Sequence, residues 1–299
     1  RVLMPASLID GKKIASEIKR EVKLETDKLK ASRGITPGLA FILVGENPAS
    51  QSYVQMKGKG CEEMGFYSVT EKLPADTSEA KLLDLIGKFN HDPLVHGILV
   101  QLPLPRQIRE FRVLAAVDYR KDVDGFHPIN VGRLVIGEQC LKPCTPAGIQ
   151  ELLVRSGNDP SGKHVVIVGR SNIVGKPLLN ILLQKKTGAN AIVTIAHTGS
   201  EDISRYTRTA DILIAAMGRA ECITGEMIKR GAVVIDVGIN RVEDPSAKNG
   251  SRLTGDVHFP SVVQVAGAIT PVPGGVGPMT IAMLLRNTLL AASGSVYSD

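Results

Sequence analysis

Five groups of residues have the types and spacing to do chemistry. Tyr53 and Lys57 stand four apart in a helical pattern, so their side chains lie on one face, one above the other. A lysine in a partly desolvated cleft can lose its proton near neutral pH and act as a base, although a solvated lysine is the commoner product of this spacing. Gln101 ends the apolar run of Val100-Gln101-Leu102-Pro103-Leu104-Pro105. There an amide either faces the crevice beyond the strand C-termini or caps a sheet edge. Lys121-Asp122-Val123-Asp124-Gly125-Phe126 puts two acids in one tight turn, so that one can cap it while the other faces a ligand. Its DxDG start resembles a calcium loop, but no glutamate follows at the bidentate position. Gly169-Arg170-Ser171-Asn172-Ile173-Val174-Gly175 follows an apolar strand pattern and opens a helix. That is the place of a pyrophosphate loop, yet GxSxxxG is only a relaxed relative of GxGxxG and fits an ordinary βα turn equally well. Finally, Thr270 to Thr280 sets three prolines and three glycines ahead of an apolar helical stretch, Ile281 to Leu290. Fixed and permissive backbones in alternation specify a loop shape, which suits lining a ligand better than linking domains.

A pattern of strands and helices must hold these groups in place. Ile14, Ile18, Val22 and Leu29 recur at helical spacing and predict an amphipathic helix over 11–32. Leu39–Val44 predicts a buried strand, Asn47-Pro48 an N-cap and first helical residue, and the helix they open runs to about Met64. A strand at Tyr67–Leu73, a helix opened by Thr77 or Ser78, and a strand at Gly97–Gln101 follow. A second alternation has strands at His164–Val168, Ala191–Ala196, Asp211–Ala216 and Val233–Val237, with helices starting near Gly175, Glu201 and Gly225. Asp244 to Ser251 is polar and predicts a surface loop. Alternation of this kind argues for parallel βαβ units.

The cofactor preference follows from the end of the second strand in that alternation. NAD enzymes usually carry an acid there for the ribose hydroxyls. This chain has His197-Thr198 instead. Thr198 can donate to a 2′-phosphate, and Arg170 at the preceding strand end adds a fixed charge and a fork of donors, which together favour NADP. The lone His127 and His258 are assigned structural roles.

Composition narrows the rest. The chain has 299 residues, 43% hydrophobic and 22% charged, enough for two domains of a globular protein. The formal charge of +6 is spread along the sequence, and its densest basic cluster, Arg106 to Lys121, is interleaved with acids. With six phenylalanines, five tyrosines and no tryptophan, stacking platforms for nucleic acid are scarce. The four cysteines form no CxxC pair and the six histidines no HxH or HExxH, so reduced thiols and no metal are expected. No apolar run reaches the roughly 18–20 residues that span a bilayer. Met4 reads as a native start, and this end has no signal-peptide or transit-peptide pattern.

Taken in order, these groups give a sequence that resembles the bifunctional methylenetetrahydrofolate dehydrogenase/cyclohydrolase enzymes. The likeness runs from Ile9 to about Leu290. It is carried by Ala49-Ser50 with Tyr53 and Lys57, by Val100–Pro105, Lys121–Gly125 and Cys144-Thr145-Pro146-Ala147-Gly148, and by Gly169–Gly175, Asp236-Val237-Gly238-Ile239-Asn240 and Pro271–Thr280. The resemblance implies an α/β fold of two domains with a cleft between them. Residues 1–148 would form a βαβ catalytic domain completed by a C-terminal helix at 278–299, and residues 149–277 a Rossmann-like parallel-sheet NADP domain. It implies oxidation of 5,10-methylenetetrahydrofolate with NADP and hydrolysis of the resulting methenyl cation to 10-formyltetrahydrofolate. Lys57 would be the acid/base, Tyr53 would orient Lys57 and the folate, and Gln101 would hydrogen-bond Lys57. Asp124 would anchor the pterin, with Pro273, Gly274 and Thr280 at the folate site. Gly169, Arg170, Ser171, Val174, Gly175, His197, Thr198, Gly238 and Ile239 would meet the cofactor. The resemblance also implies a cytoplasmic homodimer acting on tetrahydrofolate derivatives, polyglutamylated ones included, with no nucleic-acid or membrane partner. The chain departs from the family's usual His-Ser-x-Thr, having His197-Thr198-Gly199-Ser200 with the hydroxyls exchanged. No sequence follows residue 299, so the formate-activating ligase of longer relatives is expected to be absent. Two other readings stay open: a shikimate-dehydrogenase-like oxidoreductase and a non-catalytic NADP sensor.

Overall fold

A computed structural model describes residues 6–246 and 250–297. The expected start at Met4 and parts of the 244–251 loop and the 278–299 helix lie outside them. The chain forms two units: one from Ser16–Cys144 with the residues from Ile281 on, the other from the residues up to Ala15 with Thr145–Thr280.

β1 (Ser7–Leu8) precedes α1 (Gly11–Arg33), whose apolar stripe is buried at Ile14, Ile18, Val22 and Leu29. Thr26 completes the stripe by donating its hydroxyl to Val22 O (2.7 Å), which removes the cost of burying it. β2 (Gly38–Val44) is buried at every residue because it is the centre of a three-stranded parallel sheet, between β3 (Tyr67–Leu73) and β4 (Gly97–Val100). α2 (Pro48–Met64) starts as expected: Asn47 Oδ1 accepts from Ser50 N (3.1 Å), and Pro48 takes the first position, where its missing N–H costs nothing. α3 (Glu79–His91) is capped by Ser78, which accepts from Lys81 N, and not by Thr77. Its Leu82, Ile86 and Phe89 pack on Ala40, Ile42 and Val44 of β2. α4 (Glu110–Ala116) and α5 (Pro128–Ile136) are short helices with no counterpart in the sequence pattern.

α6 (Cys144–Arg155) leads to β5 (His164–Val168), α7 (Gly175–Leu182), β6 (Ile192–Ala196), α8 (Ser204–Thr207), β7 (Ile212–Ala215) and β8 (Val233–Asp236). The helix expected near Glu201 is only the single turn of α8, and the one near Gly225 is a three-residue 3-10 turn. The flanks of the polar 244–251 stretch pair antiparallel as β9 (Asn240–Glu243) and β10 (Ser251–Thr254). α9 (Phe259–Val262), β11 (Ala268–Ile269) and α10 (Val276–Ser293) close the chain. α10 begins before residue 278 because Pro278 fits a first helical turn, and it ends at Ser293, not near 299.

The sheet of this unit is all parallel, in the order β1-β11-β8-β7-β5-β6. The strand order reverses at β5, which pairs with β6 on one side and β7 on the other. In open α/β sheets that switch point, at the strand C-termini, is where ligands bind.

Candidate active site

The half-buried Lys57 reaches from α2 to the end of β4, where its Nζ donates to Gln101 Oε1 (3.1 Å). The amide's orientation is not free. Gln101 Nε2 donates to Leu102 O (2.8 Å) and its backbone N–H to Ile42 O (2.9 Å), so only Oε1 faces the lysine. Tyr53, one turn earlier on α2, is 40% exposed and available to a ligand.

One of the two acids of the Asp122–Gly125 turn caps it, as the spacing suggests. Asp122 is buried and accepts from His127 N (2.8 Å) and Asn130 Nδ2 (2.9 Å), so it caps the turn. Burial raises its carboxyl above the usual carboxylate range, against the pull of those donors. Asp124 is half-buried, and no hydrogen bond engages its carboxylate among the described residues. Burial lifts its pKa to about 6; the Lys57 charge opposes the rise and Asp122 adds to it. Asn287 of α10 fixes the turn from the other side, its Nδ2 donating to Val123 O and Lys142 O (2.8 Å each). Lys57, Gln101 and Asp124 are thus brought together on three elements of one unit.

The glycine turn lies at the C-terminus of β5 in the other unit. Gly169 holds φ at 133°, and a Cβ there would strike Ala216 O; one at Gly175 would strike Gly169 O. Only glycine permits both approaches. Ser171 Oγ accepts from Val174 N (3.1 Å) and Gly175 N (3.4 Å), closing the turn and leaving its own O–H to donate.

At the adjacent strand end, Arg170 Nη1 lies 3.3 Å from His197 Nε2. His197 Nδ1 accepts from Gly199 N (3.0 Å), which leaves the ring hydrogen on Nε2. The Arg170–His197 approach therefore sets donor against donor, and the oxygens of an anion would supply the missing acceptor. Beside it is a cavity of about 400 Å³ lined by Ser200, Arg205 and Tyr206 among others, with Glu201 and Asp202 on its wall. Thr198 is exposed and does not line it, whereas Arg205 does and was not singled out in the sequence. An anionic ligand suits this combination of a glycine-tight turn and convergent donors.

The remaining predicted residues also belong to this unit. Gly238 and Ile239 follow β8, Gly238 N donating to Asp236 Oδ1 (3.0 Å) and Ile239 standing 50% exposed. The Pro/Gly loop is ordered: Gly274 O accepts from Lys12 N (3.1 Å), and Thr280 Oγ1 pairs with Thr145 Oγ1 (2.9 Å). Pro273 is exposed beside the buried Gly274. Sequence reasoning passed over Asp256, a fully buried carboxylate among the loops after β7 and β8. Its signal was weak, a lone acid between Gly255 and Val257.

The glycine turn and the Arg170–His197 pair both lie where the strand order of this unit reverses, the arrangement of a dinucleotide-binding α/β enzyme. The chain belongs to the tetrahydrofolate dehydrogenase/cyclohydrolase family: residues 9–124 match its catalytic domain and residues 143–296 its NAD(P)-binding domain. It is 60% identical over 284 residues to the bifunctional protein FolD of Chlorobium phaeovibrioides, covering 94% of this chain and 96% of that protein. Among solved structures it is similar to FolD of Campylobacter jejuni (TM-score 0.91, 48% identity, 97% of this chain and 99% of that one). It is also similar to the Trypanosoma brucei methylenetetrahydrofolate dehydrogenase-cyclohydrolase, solved with NADP and an inhibitor (TM-score 0.92, 39% identity, 99% and 100% covered).

Proposed function

We propose that this chain oxidises 5,10-methylenetetrahydrofolate with NADP and hydrolyses the methenyl product to 10-formyltetrahydrofolate. NADP, when bound, supplies the acceptor for the hydride that leaves the methylene carbon. Gly169, Ser171, Val174 and Gly175 would cradle its pyrophosphate, Arg170, His197 and Thr198 its 2′-phosphate, and Gly238 and Ile239 its nicotinamide end. Residues 1–148 with the C-terminal helix would serve the folate, and residues 149–277 the cofactor.

The observation that carries this reading is the Lys57–Gln101 hydrogen bond, with the Asp124 carboxylate that Lys57 influences engaging no hydrogen bond among the described residues. Gln101, itself pinned by Leu102 O, holds the amine in one orientation. Asp124 accepts from the pterin amino and ring N–H groups, a paired arrangement that a carboxylate suits. Tyr53 orients the folate, and Pro273, Gly274 and Thr280 shape its site. Hydrolysis adds water to the cationic methenyl carbon, removes both protons of that water as the formyl C=O forms, breaks the carbon–N5 bond, places one proton on N5 and releases the other to solvent. Lys57 is the group placed to take and deliver those protons.

We extend the reading to a homodimer in the cytosol acting on polyglutamylated folates. No helix among the described residues is long and apolar enough to cross a membrane. The test is a spectrophotometric assay with methylenetetrahydrofolate, comparing NADP with NAD. Reduction of NADP followed by decay of methenyltetrahydrofolate is the expected result. Binding of NADP without turnover of the folate would favour a sensor, and turnover of shikimate a different oxidoreductase.

A further inference from the structure

Two buried carboxylates stand behind the cofactor-facing strand ends, and neither the glycine turn nor the folate site uses them. Asp256 is fully buried and accepts four N–H groups. Its Oδ2 takes Met217 N (2.6 Å) and Gly218 N (2.9 Å), and its Oδ1 takes Arg219 N (3.0 Å) and Asn240 Nδ2 (2.9 Å). Three consecutive backbone donors curled around one carboxylate make a nest for an internal anion. The tripeptide belongs to the loop after β7, and Asn240, the first residue of β9, ends the loop after β8.

Asp236, at the end of β8, is 4% exposed and continues the network. It accepts from Gly238 N (3.0 Å), Asp256 N (2.9 Å) and Val257 N (3.1 Å), while its own N–H donates to Thr270 Oγ1 (2.8 Å) at the start of the Pro/Gly loop. Burial, with the neighbouring Asp256 carboxylate, raises its pKa to about 6 against those donors. The packing is tight enough to dictate sequence: a Cβ on Gly255 would fall on the Asp236 carboxylate, and one on Gly238 on that of Asp256. Burying two acids side by side is costly unless their donors are all in place. The same backbone could be anchored by apolar contacts, so the arrangement points to a demand for fixed loop spacing.

We propose that Asp256 is a positioning residue for the dinucleotide, locking the loops after β7 and β8 at the spacing that the reactive end of the cofactor requires. This rests on the cofactor reading of the unit given above. Hydrolysis of a supplied methenyl folate needs no dinucleotide, so the role serves one reaction and not the other.

The experiment uses Asp256→Asn, which keeps size and shape but turns two donors of the ring against an N–H₂ group. Two quantities are read: the NADP dissociation constant by calorimetry, and hydrolysis of methenyltetrahydrofolate without cofactor. The expected result is NADP binding weakened, and dehydrogenase kcat/KM lowered, by roughly tenfold to a hundredfold, as for groups displaced on the ångström scale. Hydrolysis should stay within about twofold of the unaltered protein. Asn240→Ala, which removes one donor and leaves the carboxylate in place, should show the same split in smaller degree, and it serves if Asp256→Asn does not fold. Unchanged NADP affinity in both variants, or hydrolysis falling by the same factor as dehydrogenation, would overturn the proposal. If the unaltered protein itself binds no NADP, the cofactor reading fails, and the positioning role with it.

Discussion

Asp124 is the residue whose chemistry makes the sharpest demand on pH. Its pKa near 6 means that the folded protein holds a proton the unfolded chain would already have released. Its contribution to stability is therefore fully present below about pH 4 and is lost as pH rises through about 6. Folate binding runs the other way, because only the carboxylate accepts two pterin N–H groups. Affinity for the folate should thus be flat above about pH 7 and weaken by about tenfold per unit below about 6. Titration of the dissociation constant checks this, and Asp124→Asn should both weaken binding and abolish the slope while NADP affinity is unchanged. Arg170 makes the second demand. Arg170→Ala should lower kcat/KM for NADP by roughly tenfold to a hundredfold, the worth of one charge-assisted contact, and spare NAD. Equal losses with both cofactors would show that Arg170 does not meet the 2′-phosphate. Lys57 on a helix, Gln101 at a strand end and the two acids of the Asp122–Gly125 turn were legible as candidates because each stands in a local pattern of neighbouring residues, while their roles came from the resemblance. Asp256 and Asn287 were not, because the groups they hold come from loops distant in sequence.

The elements repeat that distinction between local and distant causes. The start of α2 could be read from Asn47-Pro48, and β2 from an unbroken apolar run, since both signals are written in adjacent residues. β1 and β11 are two-residue strands defined by distant partners, Ser7 paired with Ala268 and Leu8 with Ile269, and β11 with β8 on its other side, so no window of sequence contains the pairing. α4 lies in the mixed-charge stretch, where no element was expected, and it is held by Val113, which packs into the core of the three-stranded sheet. That core is where stability should be concentrated. Ile86 of α3 is fully buried against β2, whereas Ile136 at the end of α5 is 74% exposed. Ile86→Ala should lower the unfolding free energy by about 2–5 kcal/mol, the transfer and cavity cost of a buried isoleucine, and Ile136→Ala by less than about 0.5 kcal/mol. Urea unfolding of the two variants measures the contrast, and comparable losses would mean that the face of α5 at Ile136 is buried in the protein as it exists in solution.

One chain carrying two reactions raises the question of whether they use its groups equally. Hydride transfer leaves a nitrogen-stabilised cation and moves no proton in that step, so placement of folate and dinucleotide does most of the work. Hydrolysis moves two protons and depends on a general acid/base. Lys57, held at 3.1 Å by Gln101, is the side chain positioned for that task. Lys57→Met keeps the apolar stem and removes the amine. Hydrolysis should fall by roughly 10²–10⁴-fold, the contribution typical of an acid/base group. Oxidation should continue at a reduced level, so that methenyltetrahydrofolate accumulates and can be followed by its absorbance. The same substitution removes the positive charge that opposes the rise in the Asp124 carboxyl, so the pH below which folate binding weakens should move upward from about 6. The two readouts separate the possible roles of the lysine. Equal loss of both activities with an upward shift in the binding profile would make Lys57 a folate-positioning group and nothing more. Retention of hydrolysis would remove it from the mechanism, and selective loss of hydrolysis together with the shift is the outcome that this geometry requires.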